Sequence, residues 1–266
     1  MKERIAELQG LREGHVTLAC IEGVIEELAP GFLTDFHRDY PGIKSTVASA
    51  GPDQIIAAMQ ADSADIGIFF GSPKQPSVHV LLSYDEAMYA IVSPSHPLAG
   101  RSQTSLNEIS SLRVAMPDPS FGARRILDSA LSKLGISIPI LLTTNSIDLT
   151  LRMASTGDTL TVLPRFSIRR KLQSGQLVAV PLAEHQLLTG TLMVCKRPDR
   201  MLSAPALRLL EYIQASFAIF SSSEYADDSS ARPGRTVAEG DGDRSPVQPS
   251  KGGPAPVPDQ QTGATR

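Results

Sequence analysis

The sequence has no tryptophan, only two cysteines and no hydrophobic run long enough to span a membrane. A transmembrane helix needs about 20 consecutive apolar residues, and the charged residues 1–14 lack the apolar core of a signal peptide. Two cysteines are too few for a disulfide framework or a metal cluster. Cys20 and Cys195 lie in hydrophobic strand-like runs, which favours buried, inert thiols. We therefore expect a cytoplasmic protein without a membrane partner.

The chain also lacks an excess of positive charge. Its 266 residues include 25 Lys and Arg against 28 Asp and Glu, which gives a formal net charge of -3. Proteins that bind nucleic acid neutralise phosphates with Lys and Arg, and this chain as a whole has no such field. Any contact with DNA must therefore come from elsewhere.

Signatures of catalysis are missing from the sequence as well. The five histidines are scattered, without the spacing that places metal ligands on one face. The sequence contains no P-loop, G-x-G-x-x-G fingerprint or G-x-S-x-G elbow. His96 stands in a proline-rich turn, where we expect a structural or exposed role. We predict no enzymatic activity, no metal and no cofactor.

Strand-like and helix-like segments alternate along the first 220 residues, as in α/β proteins with crossover helices. The predicted strands of the first part are HVTLAC, IKSTVA, DIGIFF, VHVLLS and AMYAIVS, with one helix whose apolar face runs over residues 25–36 and another over residues 52–61. The second part contains the strands LRVAM, IPILLTT, TLTVLP, LVAVPL and LLTGTLMVC and helices over residues 121–134, 146–154, 168–173 and 204–220.

We predict two Rossmann-like α/β lobes joined by a hinge that the chain crosses twice. The first lobe comprises residues 14–92 and 192–220, and the second lobe comprises residues 93–191. An amphipathic helix within residues 1–13 precedes them. Residues 221–266 are rich in Pro, Gly, Ser and charge, cannot bury a core and are expected to be a disordered tail.

Six segments, in this order, resemble the LysR-type transcription regulators over roughly residues 2–220. They are IAELQGLREG, LAPGFLTDFHRDYPGI, ADIGIFF, SPSHPLAG, TTNSI and TLTVLPRFSIRRKLQSGQLVAVPL. The resemblance implies a periplasmic-binding-protein type II-like domain that binds a small-molecule effector between its lobes and assembles as a homodimer or homotetramer. It also implies that residues 1–13 are the remnant of a linker helix, and that DNA is bound only through a helix-turn-helix domain, which these residues lack.

Two other hypotheses remain open at this point. The same lobes occur in solute-binding proteins, so the alternative is a stand-alone solute-binding protein without a DNA partner. An enzyme on the same fold is a remote third hypothesis. In the regulator hypothesis, the apolar stripe on residues 31–40 is the predicted dimer surface.

Ligands of open α/β sheets bind beyond the carboxyl ends of the strands. The candidate ligand-binding residues at such ends are Ile21, Glu22, Gly23, Gly51, Pro52, Phe69, Phe70, Ser120, Phe121, Asn145 and Ser146. Helix N-termini beside Ser120 and Ser146 favour an anionic effector. Each of these serines, and Asn145, is at least as well explained as a helix cap, and phenylalanines in such positions are more often core residues than part of a ligand site.

Glu22 conflicts with an acidic effector. Many family members have Ser or Thr after the first strand, where this chain has Glu22. Either Glu22 points outward, or the effector is neutral, cationic or amphoteric. Arg124 and Arg125 on the facing lobe are candidates for compensating its charge, although such pairs more often lie on a solvated helix face.

Overall fold

The computed structural model describes residues 13–72 and 77–218. The predicted N-terminal helix over residues 2–11 and the predicted tail over residues 221–266 lie outside these ranges. Within them the chain forms a mixed α/β fold in which strands and helices alternate, as predicted.

Nine strands and eight α-helices make up the described part of the chain. The strands are β1 (Gly14–Cys20), β2 (Ile43–Ser49), β3 (Ile66–Gly71), β4 (His79–Val92), β5 (Arg113–Pro117), β6 (Ile140–Thr144), β7 (Thr159–Pro164), β8 (Val178–Pro181) and β9 (Thr189–Lys196). The helices are α1 (Glu22–Glu27), α2 (Ala29–Asp39), α3 (Pro52–Gln60), α4 (Leu106–Ile109), α5 (Gly122–Leu134), α6 (Ile147–Ala154), α7 (Arg169–Gln173) and α8 (Ala204–Phe217), with a 3₁₀ helix (Arg165–Ile168) before α7.

The strands pair in the order β2-β1-β3-β9-β4-β7-β5-β6, and β8 pairs with β4. β1 is parallel to β2 and β3, and β5 is parallel to β6 and β7, whereas β9 and β4 run antiparallel to their neighbours. We call β1, β2, β3 and β9 with α1–α3 and α8 the first lobe, and β5–β8 with α4–α7 the second lobe. The predicted lobe boundaries stay a prediction, and the one after residue 191 falls within β9.

The prediction of two separate strands, VHVLLS and AMYAIVS, is wrong. Both belong to β4: eight of its first nine residues pair with β9, with a register shift between Val80 and Leu82, and Met88–Ile91 pair with β7. The polar residues Ser83 and Asp85, which stand where the first predicted strand ends, alternate with buried positions, as in a strand with one solvated face. One continuous strand therefore belongs to the sheets of both lobes.

The helix predicted around residues 25–36 is divided into α1 and α2. Pro30 lies in the first turn of α2, where its missing N–H is not needed and where it disfavours continuation of a helix from the preceding residue. The proline is the signal in the sequence that the prediction overlooked.

The apolar stripe of α2 packs inside the chain. Phe32 and Phe36 are buried, the rings of Phe36 and Tyr212 on α8 are 5.6 Å apart, and Tyr212 Oη donates a hydrogen bond to Asp39 at 2.6 Å. The stripe is therefore not free to serve as the predicted dimer surface. The exposed face of α2 includes Asp35 and is polar.

Candidate functional site

Three glycines lie where the two lobes are in close contact. The approaches are Gly23 to Ser167, Gly51 to Ser120 and Gly122 to Phe70. A Cβ atom on Gly23 would lie 2.7 Å from Ser167 Cβ, and one on Gly122 would overlap the carbonyl oxygen of Phe70. None of the three has a positive φ, so close approach, and not backbone conformation, requires glycine there.

The carboxylate of Glu22 reaches across to the second lobe. It accepts hydrogen bonds from the backbone N–H of Ile147, 3.1 Å from each oxygen, and from the N–H of Asp148 at 3.3 Å. These are the first N–H groups of α6, where a negative charge is favoured. The hypothesis that Glu22 points outward is therefore wrong, and the hypothesis about the charge of the effector stays untested.

The two serines at the predicted helix starts differ in role. Ser146 is the N-cap of α6 and accepts a hydrogen bond from the N–H of Leu149 at 3.2 Å. Ser120 caps no helix, because both its hydroxyl and its N–H donate to Asp118, and Phe121 stands at the N-cap position of α5.

A cavity of about 340 Å³ lies between the lobes, next to Gly122. We call it the cleft cavity. Its lining comes from the end of β3 and the start of α3 in the first lobe, from one face of α5, and from the segment that leads back into β9. The lining residues are Pro52, Phe69, Phe70, Gly71, Ser72, Gly122, Arg125, Ile126, Ser129, Lys133, Gln186, Leu187 and Thr189.

The cleft cavity combines apolar walls with positive charge. Phe70, Ile126 and Leu187 are apolar, Arg125 and Lys133 are basic, and none of the lining residues is acidic. The guanidinium of Arg125 is fixed by hydrogen bonds to the carbonyl oxygens of residues 119 and 120 and by a 3.1 Å ion pair with Asp53 of the first lobe.

Neither predicted arginine serves to compensate Glu22. Arg125 pairs with Asp53, and Arg124 pairs with Asp128 on the same helix at 2.8 Å. The backbone of α6 takes over that role for Glu22.

Two further cavities flank the contact between α1 and the second lobe. The smaller, about 30 Å³, is apolar, and its lining includes Ile21, Gly23 and Phe121; a volume this small holds about one water molecule. The larger, about 370 Å³, is lined by charged residues of both signs, among them Glu27 and Arg170. We call it the polar cavity. Burial raises the pKa of the Glu27 carboxyl, which accepts a hydrogen bond from the N–H of Arg170 at 2.9 Å.

The structure thus gathers most, but not all, of the predicted ligand-binding residues. Pro52, Phe69 and Phe70 line the cleft cavity. The small apolar cavity is lined by Ile21, Gly23, Phe70 and Phe121. Glu22 and Ser146 lie at the start of α6. Gly51 and Ser120 contact each other but line none of the three cavities, and neither does the exposed Asn145. Whether any of them binds a ligand stays a prediction.

Sequence reasoning missed the α5 wall of the cleft cavity. Gly122, Ile126, Ser129 and Lys133 are spaced by three or four residues, so they lie on one face of a helix. This spacing can be seen in the sequence. The contribution of residues 186–189 to the cavity wall cannot be predicted from the sequence, because it depends on how the lobes pack.

A buried carboxyl on the strand shared by the lobes was also missed. Glu86 is 3% exposed, and Oε1 accepts a hydrogen bond from the N–H of Phe166 at 3.1 Å. Burial raises the pKa of Glu86 to about 8. His96 is buried too, and its Nδ1 accepts a hydrogen bond from the N–H of Leu98, which is a structural role.

Residues 13–72 and 77–218 contain neither a group of metal-binding side chains nor a membrane-spanning helix. In these ranges no three His, Cys, Asp or Glu side chains are grouped so that they could share a metal ion. Nor do they include a helix of the length and apolar character needed to cross a bilayer. Cys20 and Cys195 are both buried and unpaired, and burial raises the pKa of each thiol.

The family model for the LysR substrate binding domain matches residues 9–218. The chain belongs to this family. The probable nitrogen assimilation transcriptional activator of Synechococcus elongatus is 24% identical over 207 residues, 77% of this chain and 66% of that protein. The HTH-type transcriptional activator CmpR of Synechocystis is 21% identical over 215 residues, 81% of this chain and 70% of that protein. The chain spans about two thirds of the length of these regulators.

Solved structures of LysR domains have the same fold. The regulatory domain of Synechocystis CcmR in complex with 2-PG aligns with a TM-score of 0.66 at 20% identity, over 76% of this chain and 97% of that one. The effector binding domain of QuiR in complex with shikimate aligns with a TM-score of 0.63 at 15% identity, over 75% and 95%. The predicted periplasmic-binding-protein type II-like fold of a LysR domain is confirmed.

Proposed function

We propose that this chain is the effector-sensing domain of a LysR-type transcription regulator and that its effector binds in the cleft cavity. One observation carries the proposal: the cavity is lined by both lobes and by the segment between β8 and β9 through which the chain returns to the first lobe. A molecule bound there contacts all three parts and favours one hinge state over another by its differential affinity. The role is binding without covalent chemistry.

The lining residues support a small organic anion as the effector. Arg125 and Lys133 supply positive charge, Ser129 and Thr189 supply hydroxyl groups, and Phe70 with Ile126 supplies apolar surface. A volume of about 340 Å³ is within the range of ordinary ligand pockets. The structures of CcmR with 2-PG and of QuiR with shikimate support small-molecule binding by this fold.

The regulator hypothesis has two further parts. We propose that the domain assembles as a homodimer or homotetramer in the cytoplasm, and that DNA is contacted through a helix-turn-helix domain outside these 266 residues. The DNA sequence upstream of Met1 tests this part. A helix-turn-helix encoded there in frame would support the regulator, whereas an encoded export signal would support a stand-alone solute-binding protein.

A thermal-shift screen tests the cleft cavity. Metabolites pooled by charge class are expected to raise the melting temperature of the wild type, since a ligand that binds the folded state stabilises it. Ser129→Trp fills the cavity and should abolish the shift. Ser132→Trp places the same bulk on an exposed position of α5 that does not line the cavity, and it should keep the shift. Equal shifts in all three proteins would mean that the ligand binds elsewhere.

A further inference from the structure

The start of α6 is occupied by a group of the chain itself. The first two N–H groups of this eight-residue helix, those of Ile147 and Asp148, donate to Glu22. The N–H of Leu149 donates to the hydroxyl of Ser146, and the N–H of the N-cap residue Ser146 donates to the hydroxyl of Thr144. All four N–H groups that a helix leaves open at its start are therefore used within the chain.

Glu22 is brought to α6 by the close packing of α1 on the second lobe. Gly23 follows it directly and lets α1 approach Ser167 of the 3₁₀ helix. At the other end of α1, Glu27 accepts a hydrogen bond from the second lobe, at the N–H of Arg170. One short helix of the first lobe thus sends a carboxylate from each of its ends to the backbone of the second.

The acidic side chain of Asp148 in the first turn of α6 does not replace Glu22 at the start of the helix. The carboxylate of Asp148 is paired with Arg152 on the next turn at 2.6 Å. The group that neutralises the start of α6 is therefore Glu22, 125 residues away in the sequence.

We propose that Glu22 is a built-in ligand, whose carboxylate holds the lobes together and excludes acidic effectors from the start of α6. Because that position is filled, the acidic group of an effector is directed to Arg125 and Lys133 in the cleft cavity. Only this last consequence rests on the proposed function. The contact between Glu22 and α6 closes the lobes whatever molecule the domain senses.

Rescue by a small carboxylate tests the proposal without the natural effector. In the full chain, Glu22→Ala empties the start of α6 and should lower the melting temperature by about 4–10 °C, as expected for lost hydrogen bonds to a charged group in a domain of this size. Sodium acetate should recover part of this loss, relative to sodium chloride at equal ionic strength. Glu26→Ala, an exposed glutamate of the same helix, should melt as the wild type does and gain nothing specific from acetate.

Two results would overturn the proposal. The first is a Glu22→Ala protein that melts like Glu26→Ala, and the second is an acetate effect of equal size in all three proteins.

If Glu22→Ala does not fold, Glu22→Gln replaces it, because its amide oxygen still accepts a hydrogen bond from the N–H of Ile147 but carries no charge. Glu22→Gln should melt below the wild type and show no acetate rescue, since the amide fills the position; a melting temperature equal to that of the wild type contradicts the role of the charge. These melting experiments need no effector, so their outcomes can be interpreted even if the effector screen fails.

Discussion

Burial determines the protonation state of Glu86 on the strand that the lobes share. Its pKa is raised from about 4.5 to about 8, so the folded state keeps a proton that the unfolded state releases. The free energy of unfolding should therefore fall as the pH rises from about 4.5 to about 8, by up to about 1.4 kcal/mol per pH unit. His96 acts in the opposite direction, because burial lowers its pKa and its contribution is lost as the pH falls below about 6.5.

Glu86→Gln isolates the contribution of the carboxyl. The amide oxygen can still accept the hydrogen bond from Phe166, while the titration is removed. Urea unfolding at several values between pH 5 and pH 8 should show a smaller loss of stability in Glu86→Gln than in the wild type, and His96 cancels because both proteins contain it. Glu26→Gln, on an exposed position, should follow the wild type. Identical pH slopes for Glu86→Gln and the wild type would contradict the raised pKa.

Glu22 and Ser146 show which side-chain contacts can be predicted from the sequence and which cannot. The sequence shows that Glu22 departs from the family pattern, and that Ser146 stands at a helix start. It cannot show that the Glu22 carboxylate bonds to the amides of α6, because that contact joins residues 125 positions apart in sequence. The hydrogen bond of Ser146 to Leu149 spans three residues, which is why the capping hypothesis for it was accessible from the sequence alone.

At the scale of elements, glycine determines how closely α5 packs on β3. Gly122→Ala would place a Cβ atom against the carbonyl oxygen of Phe70, so helix and strand must separate. Overpacking of this kind costs about 1–3 kcal/mol, which lowers the melting temperature by about 2–4 °C for each kcal/mol in a domain of this size. Differential scanning calorimetry measures the loss.

Gly31→Ala is the matched control for this substitution. Gly31 lies within α2 with nothing within 4 Å of an added Cβ atom, and alanine is favoured over glycine in a helix by about 0.5–1 kcal/mol. Its melting temperature should be unchanged or slightly raised. A Gly122→Ala protein as stable as Gly31→Ala would show that the lobes do not pack as closely as described.

Element boundaries were predictable where a local signal exists. The strand TLTVLP coincides with β7, and the helix predicted over residues 121–134 begins one residue before α5. The errors were at Pro30, whose signal was overlooked, and in β4, which was predicted as two separate strands. The pairing of β4 with strands of both lobes depends on contacts distant in sequence, which periodicity does not contain.

At the scale of the whole molecule, contacts of charged side chains on two sides of the interface between the lobes oppose their opening. Glu22 joins α1 to α6, and the Arg125–Asp53 pair joins α5 to the first lobe beside the cleft cavity. In the proposed function, an anionic effector at Arg125 would compete with Asp53 and would leave Glu22 in place. We therefore expect effector binding to adjust the cavity side of the interface while the side held by Glu22 stays closed.

Binding of a small molecule in the cleft cavity can be measured through the amide chemical shifts of the ¹⁵N-labelled chain during titration with metabolite pools. We expect saturable shifts for residues that line the cavity, among them Ile126, Ser129 and Thr189, and larger shifts with the anionic pools than with the cationic ones. Saturable shifts confined to residues of the polar cavity, such as Arg170 and Ser174, or no saturable shift with any pool, would contradict it.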